Sequence, residues 1–321
     1  MDTSALVHAV VLDGAGGGRR LTPEEAAAWR PDQGLLWLHL DYTHPDTAIW
    51  LERLALPALV SDALLAQETR PRAMPLRDGA LVYLRGVNLT PGAQPEDMIA
   101  IRLWVTPGGI VSTQRRPLGS VRDLIDDLEQ GNGPADSWGL LVDLIDRLTW
   151  YMEDVVDQVE DQIASYEEAA MTRQSRRLRN DIARVRRRVS VLRRYLAPQR
   201  DALARLLDSS GPLADAERAR LREVMERLQR LLEDLDAARE HASIAQEDLA
   251  NRLADELNRR MYVLAIASVI FLPLTFLTGL LGVNLEGIPE AESRLAFPVF
   301  VLMLVGVGAT IVIVLRRRGW L

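Results

Sequence analysis

MYVLAIASVIFLPLTFLTGLLGVN, residues 261–284, is the stretch whose reading decides how this chain must fold. No charged residue occurs for about 25 positions between Arg260 and Glu286, and none for about 21 between Arg294 and Arg316, across LAFPVFVLMLVGVGATIVIVL (295–315). Each run exceeds the ~20 residues with which a helix crosses the hydrocarbon of a bilayer. Core helices of soluble proteins seldom run so long without charge, so the expectation is two membrane spans rather than two buried helices. The link, residues 285–295, holds Glu286, Pro289, Glu290, Glu292 and Arg294. It is too short for a domain and too charged for lipid, so the two spans form a hairpin with its loop in water.

The flanks orient the hairpin. Arg259 and Arg260 precede the first span, and Arg316, Arg317 and Arg318 follow the second, whereas the loop has three acids and one Arg. The positive-inside rule places both termini in the cytoplasm and the loop outside. Everything before residue 261 is then cytoplasmic. The N-terminus lacks a basic n-region, so it does not read as a secretory signal.

Composition narrows the classes. The 321 residues are 48% hydrophobic and 26% charged, an ordinary average that hides the split between a charged body and an apolar end. The formal charge of −7 argues against nucleic-acid binding, which needs a basic face. The absence of Cys excludes disulfides and thiolate metal sites. His8, His39, His44 and His241 form no pair at helical spacing, so a tetrahedral zinc site is not expected. No nucleophile–base set or cofactor motif is present, so the chain does not read as an enzyme and no cofactor is implied.

Residues 35–40, 80–84, 98–105 and 109–113 read as strands, and 46–67 as helix interrupted at Pro57. Gly14 to Gly18 lacks the Lys-Ser/Thr of a phosphate loop and reads as a turn. From residue 137 the chain is helical. An acidic stretch (140–171) and a basic one (172–207) are expected to pair antiparallel and neutralise each other. Neither Pro nor Gly occurs between Pro212 and Pro273, which allows one helix of roughly 90 Å. Along it Leu221, Leu228, Leu235, Ala242 and Leu249 recur every seven residues, joined by Val224, Leu231, Ala238 and Ala245, a coiled-coil-like stripe. The expected organisation is α+β: an α/β cytoplasmic domain (1–135), a bundle and stalk of long helices (136–260), and a transmembrane hairpin (261–321).

The run SVIFLPLTFLTGLLGVNLEGIP (268–289), with the basic tail ending in Trp320-Leu321, resembles the CorA family of divalent-cation transporters. The resemblance covers essentially the whole chain. WLHLDYTHPD (37–46), ETRPR (68–72) and RRYLAPQRD (193–201) are similar to its ZntB-type zinc branch. It implies a homopentamer whose five first spans line a pore, with the second spans as an outer ring. Carried over position by position, Asn258, Met261, Leu264, Leu272, Thr275 and Gly279 would line that pore, and Gly282, Val283 and Asn284 would form its mouth. Asn284 would meet the hydrated ion, and Glu286 and Glu290 would ring the outer opening. Val283 stands where the magnesium branch has Met, and Glu286 replaces a usual Gly. The implied cargo is a divalent cation, zinc foremost, with cadmium, nickel, cobalt and magnesium as further candidates. The implied setting is the inner membrane, with metal ions, lipid and further copies of the chain as partners. Two alternatives stay open: a magnesium or cobalt channel, and a membrane-anchored cytoplasmic scaffold or sensor.

Overall fold

A computed structural model describes residues 5–67, 69–172, 176–208, 213–281 and 295–320. The chain divides into two compact units, Met1–Gln246 and Glu247–Leu321. The first begins with a seven-stranded sheet of order β2-β1-β3-β7-β6-β5-β4. Its strands are β1 (Leu6–Leu12), β2 (Gly18–Arg20), β3 (Leu35–Asp41), β4 (Arg72–Leu76), β5 (Gly79–Gly86), β6 (Ile99–Thr106) and β7 (Gly109–Gln114). β3 and β7 run parallel, with Trp37 opposite Ile110; every other pairing is antiparallel.

Of the five inner strands, β3, β7, β6 and β5 are legible from sequence and β1 is not. These four are buried on both faces, which favours near-continuous apolar runs. Leu36, Leu38, Leu40, Leu81, Tyr83 and Trp104 point to one face. There they pack with Ala26 of α1 (Pro23–Ala28), Leu51 of α2 (Thr47–Arg53) and Val60 and Leu64 of α3 (Ala58–Leu65). α5 (Ser137–Thr172) and α6 (Arg176–Asp208) also pack on the sheet, α5 along β5 and β6 and α6 along β4 and β5. Gln199 Oε1 locks α6 in place by accepting the Arg85 backbone N–H at 2.8 Å.

The edges escaped the sequence reading for physical reasons. β4 carries Pro75, which an edge strand tolerates because nothing outside it needs the missing N–H. β2 is only three residues long. The Gly14–Gly18 turn is present: Asp13 Oδ1 accepts the backbone N–H groups of Ala15 (2.7 Å) and Gly17 (2.9 Å), and Gly14 and Gly16 take positive φ. The expected break at Pro57 is present too, with Pro57 capping the start of α3. α4 (Gly119–Glu129) was not anticipated.

α7 (Asp215–Leu281) is a single helix of 67 residues, and α8 (Ala296–Arg317) has 22. Leu221, Val224, Leu228, Leu231, Leu235, Ala238, Ala242, Ala245 and Leu249 are all buried, as their spacing requires. α5 and α6 pack on each other, and among the described residues both also send ion pairs to a third helix, α7. Acids of α5 pair with α7: Asp143 with Arg220 (2.7 Å) and Asp146 with Arg227 (2.9 Å), while Glu167 Oε1 lies at hydrogen-bond distance, 2.9 Å, from His241 Nδ1. Arg193 of α6 also pairs with α7, through Asp236 at 2.6 Å. A third helix thus offers both signs to its neighbours, where a two-helix reading saw only the complementary net charges of α5 and α6.

Candidate functional site

The second unit is apolar where a water-soluble fold would be polar. An 18-residue window of α7 reaches a mean hydropathy of 2.3, and one in Phe297–Arg317 reaches 2.7. Yet these residues are exposed in the chain: Leu264 by 68%, Leu272 by 70% and Leu302 by 77%. Each such side chain left in water forfeits about 1.5–3 kcal/mol of burial. Helices of this length and composition, uncovered by their own chain, belong in a bilayer or against other chains.

The two helices present distinct faces. On α7, Ile266, Ala267, Ile270, Pro273, Leu274 and Leu277 are half-buried. On α8, Phe300, Leu304, Val307, Gly308, Ile311 and Val312 are half-buried and Leu315 is buried. These are the faces the helices turn to each other, since a Cβ on Gly308 would lie 3.9 Å from Leu274 Cδ1. Gly306 has open space beside it within this chain. At the other end of the pair the Tyr262 hydroxyl donates to the Trp320 carbonyl oxygen, tying the start of the apolar part of α7 to the residues that follow α8. Arg259, Arg260, Arg316, Arg317 and Arg318 therefore gather at one end of the hairpin, with Arg260 paired to Glu256 at 2.5 Å.

Asn258, Met261, Leu264, Leu272, Thr275 and Gly279 are all exposed. With about 100° per residue they fall in one stripe, roughly opposite the face that meets α8. The helix therefore sorts its residues by neighbour: the α8 side is purely apolar, and the far side mixes apolar residues with Asn258 and Thr275. Ser268 lies in the same stripe, exposed, and sequence reading passed over it. The signal was available, because Met261, Ser268 and Thr275 are spaced by sevens and an α-helix drifts only about 20° per seven residues. Gly282, Val283, Asn284, Glu286 and Glu290 lie outside the described residues.

The described residues of the first unit assemble no rival metal site. Among the described residues no three His, Asp or Glu side chains converge as a metal would require. Glu160 and Asp234 are both held above the usual carboxylate range, chiefly by burial and then by neighbouring acids, Asp157 among them. His39 Nδ1 lies 2.6 Å from Ser112 Oγ, but both residues are fully buried, so no substrate reaches the pair. Trp37 Nε1 donates to the same Oγ at 2.8 Å. Ser112 can then donate to Nδ1, which leaves the proton of the neutral ring on Nε2. Burial, and after it the charge of His8, lowers the His39 pKa to about 3.

The model of the family described as "CorA-like Mg2+ transporter protein" matches residues 32–317. The zinc transport protein ZntB of Yersinia enterocolitica is 38% identical over 323 residues, covering 100% of this chain and 98% of its own. ZntB of an Enterobacter species is 37% identical over 316 residues, covering 98% and 96%. Among solved structures, that of the full-length CmaX protein matches with a TM-score of 0.86 at 37% identity, covering 99% of this chain and 98% of that one. The CorA magnesium transporter of Methanocaldococcus jannaschii matches with a TM-score of 0.85 at 16% identity, covering 98% and 99%; at that identity the likeness is one of fold.

Proposed function

This chain belongs to the CorA-like Mg2+ transporter family, and from that premise we propose that it carries divalent cations, zinc foremost, across the inner membrane through a ring of five copies lined by α7. The observation that carries the reading is the sorting of α7. Met261, Leu264, Leu272, Thr275 and Gly279, with Asn258 just ahead of the span, are exposed on the face away from α8, where a lipid-facing helix would have no use for the hydroxyls of Ser268 and Thr275. One hairpin cannot enclose a path, but a ring can, with α8 between α7 and the lipid. A bare membrane anchor would not need this polar sorting, which weighs against a scaffold or sensor. Zinc follows from the ZntB relatives at 37–38% identity. The metal is cargo in this reading, and catalysis forms no part of it.

The chemistry follows from what a hydrated divalent ion presents. Its water shell points hydrogens outward and is surrendered reluctantly, by magnesium more than by zinc. At the mouth, Asn284 side-chain carbonyls from each copy would accept hydrogen bonds from that shell. An amide holds the ion more weakly than a carboxylate, so it can leave again. Gly282 and Val283 would form the mouth with Asn284, and Glu286 and Glu290 would surround the opening. Below it, Leu272, Leu264 and Met261 form an apolar stretch that can close by dewetting. The cluster of Arg259, Arg260 and Arg316 to Arg318 supports a cytoplasmic position for both ends of the hairpin.

Purified protein in liposomes should pass zinc and cadmium down a gradient, and Asn284→Ala should reduce that flux to background while native mass spectrometry still finds pentamers. Wild-type flux in an assembled Asn284→Ala ring removes the amide from the mechanism. Flux of magnesium or cobalt without zinc turns the reading to the magnesium branch of the family.

A further inference from the structure

Resting on the reading that this face of α7 lines the path, we propose that Ser268 supplies a ring of hydroxyl oxygens that keeps the apolar stretch passable to a hydrated cation. Ser268 is four residues from Leu264 and four from Leu272, about 6 Å along the axis from each. Each step of four turns the helix about 40° past a full revolution, so Ser268 sits between the two leucines in angle as well as in height. Without it, Leu264 to Leu272 would be an unbroken apolar zone of about 12 Å. A continuous apolar zone in a narrow path expels water. With Ser268 in the middle, it becomes two short apolar rings flanking a polar one.

The hydrogen bonding of Ser268 gives the ring a polarity. Its Oγ donates to the Leu264 carbonyl at 2.9 Å. The one hydroxyl hydrogen is thereby used within the helix, and what the side chain offers outward is lone pairs alone. A ring of pure acceptors matches the outward hydrogens of a cation's water shell and opposes the shell of an anion, whose waters point their hydrogens inward. Ser268 would thus repeat, part-way along the path, the chemistry assigned to the Asn284 carbonyls at its mouth. The other serine and threonine hydroxyls described in this unit do not take that position. Thr278 and Thr310 also bond back to their own helices, at Leu274 and Gly306. Thr278 is about 80° round the helix from Ser268, and Thr310 is on α8.

The absence of cysteine makes the test clean. Leu264→Cys and Leu272→Cys, each as the only thiol, test the lining itself. In liposomes a membrane-impermeant cationic methanethiosulfonate should block zinc flux through both, and should leave Ile270→Cys, on the α8 side, conducting. Ser268 is tested separately by the isosteric pair Ser268→Thr and Ser268→Val. Threonine keeps the hydroxyl and should keep most of the flux; valine should lower it roughly tenfold, the scale of one ordinary hydrogen bond lost to the passing shell. Ser268→Ala should fall with valine. Equal flux through the threonine and valine variants, with both leucine positions blocked as expected, overturns the role of Ser268 and leaves the lining intact. Failure to block at Leu264→Cys and Leu272→Cys overturns both. The comparison of threonine with valine holds even if the alanine variant fails to assemble.

Discussion

Two parts of α7 carry apolar surface, first a stripe that repeats every seven residues and then a run apolar almost all round, and the chain treats them in opposite ways. From Leu221 to Leu249 every stripe residue is buried, and flanking charges pair with α5 and α6. From Met261 to Leu280 the large apolar residues away from α8 are 45–70% exposed. Helical propensity cannot make this difference, since both parts are regular α-helix. What differs is who supplies the partner. The first is satisfied by its own chain in water; the second is left for a bilayer or other chains to cover. Exposure of a strongly apolar segment is therefore information about assembly and solvent.

The sharpest way to break this comparison is to truncate one leucine in each unit. Leu228 is fully buried and Leu302 is 77% exposed. Leu228→Ala should cost the first unit about 2–5 kcal/mol, the usual range for a buried leucine whose cavity cannot collapse. Leu302→Ala should change the stability of that unit by less than about 0.5 kcal/mol. Urea unfolding in detergent, followed by tryptophan fluorescence, reads this directly, because six of the seven tryptophans precede Gln246. Similar shifts in the unfolding midpoint for both variants would mean that the exposed apolar surface of the second unit is as firmly partnered within the chain as the buried stripe of the first.

Acid should sharpen the same contrast by loosening only the unit whose core contains histidine. His39 is fully buried, and its pKa falls from 6.5 to about 3 on folding. Above pH 6.5 neither state binds the proton, so stability is at its full value. As pH falls from 6.5 toward 3 the unfolded chain takes up a proton that the fold refuses. Stability then drops by up to about 1.4 kcal/mol per pH unit. His8, also lowered chiefly by burial, acts in the same direction. His39→Gln should lower stability at neutral pH but flatten its decline between pH 7.5 and 5.5. An equally steep decline in the variant would show that the buried imidazole is not the group being titrated.

What could be read from the sequence follows the strength of the physical demand. A bilayer requires some twenty uncharged residues and a closed core requires a repeat, so the hairpin, the Leu221–Leu249 stripe and four of the five inner strands were legible. Strands at the sheet's edges are half-solvated and impose no such pattern, so β2 and β4 were not read, and β1 beside β2 was missed with them. The share of α7 in the ion pairs was missed because net charge per segment does not reveal that α7 carries Arg220 and Asp236 on sides facing different neighbours. Ser268 was passed over because one serine in an apolar run resembles a tolerated exception until the helix face that it shares is known.

The smallest expected effect concerns charge left without partners near it in the sequence. In the first unit the acids Asp143 and Asp146 meet arginines within 3 Å. In the loop, Glu286, Glu290 and Glu292 are accompanied only by Arg294. Five copies would place about ten net negative charges around one opening, and a ring of one sign draws counter-ions toward it. If the acids serve only to keep the loop in water, their neutral amides would serve equally. Salt separates the two roles, because attraction at a surface is screened over about 8 Å at physiological ionic strength. Glu286→Gln combined with Glu290→Gln should slow zinc uptake a few-fold at low salt and limiting metal, with little change at high salt or saturating metal. Removing two of the three acids leaves the ring near neutral, since Glu292 and Arg294 then balance. The wild-type salt dependence should therefore be lost in the double variant. Equal low-salt rates would mean that the loop's charge only solvates it, and the contrast between a unit that neutralises its charge and one that uses it would fall.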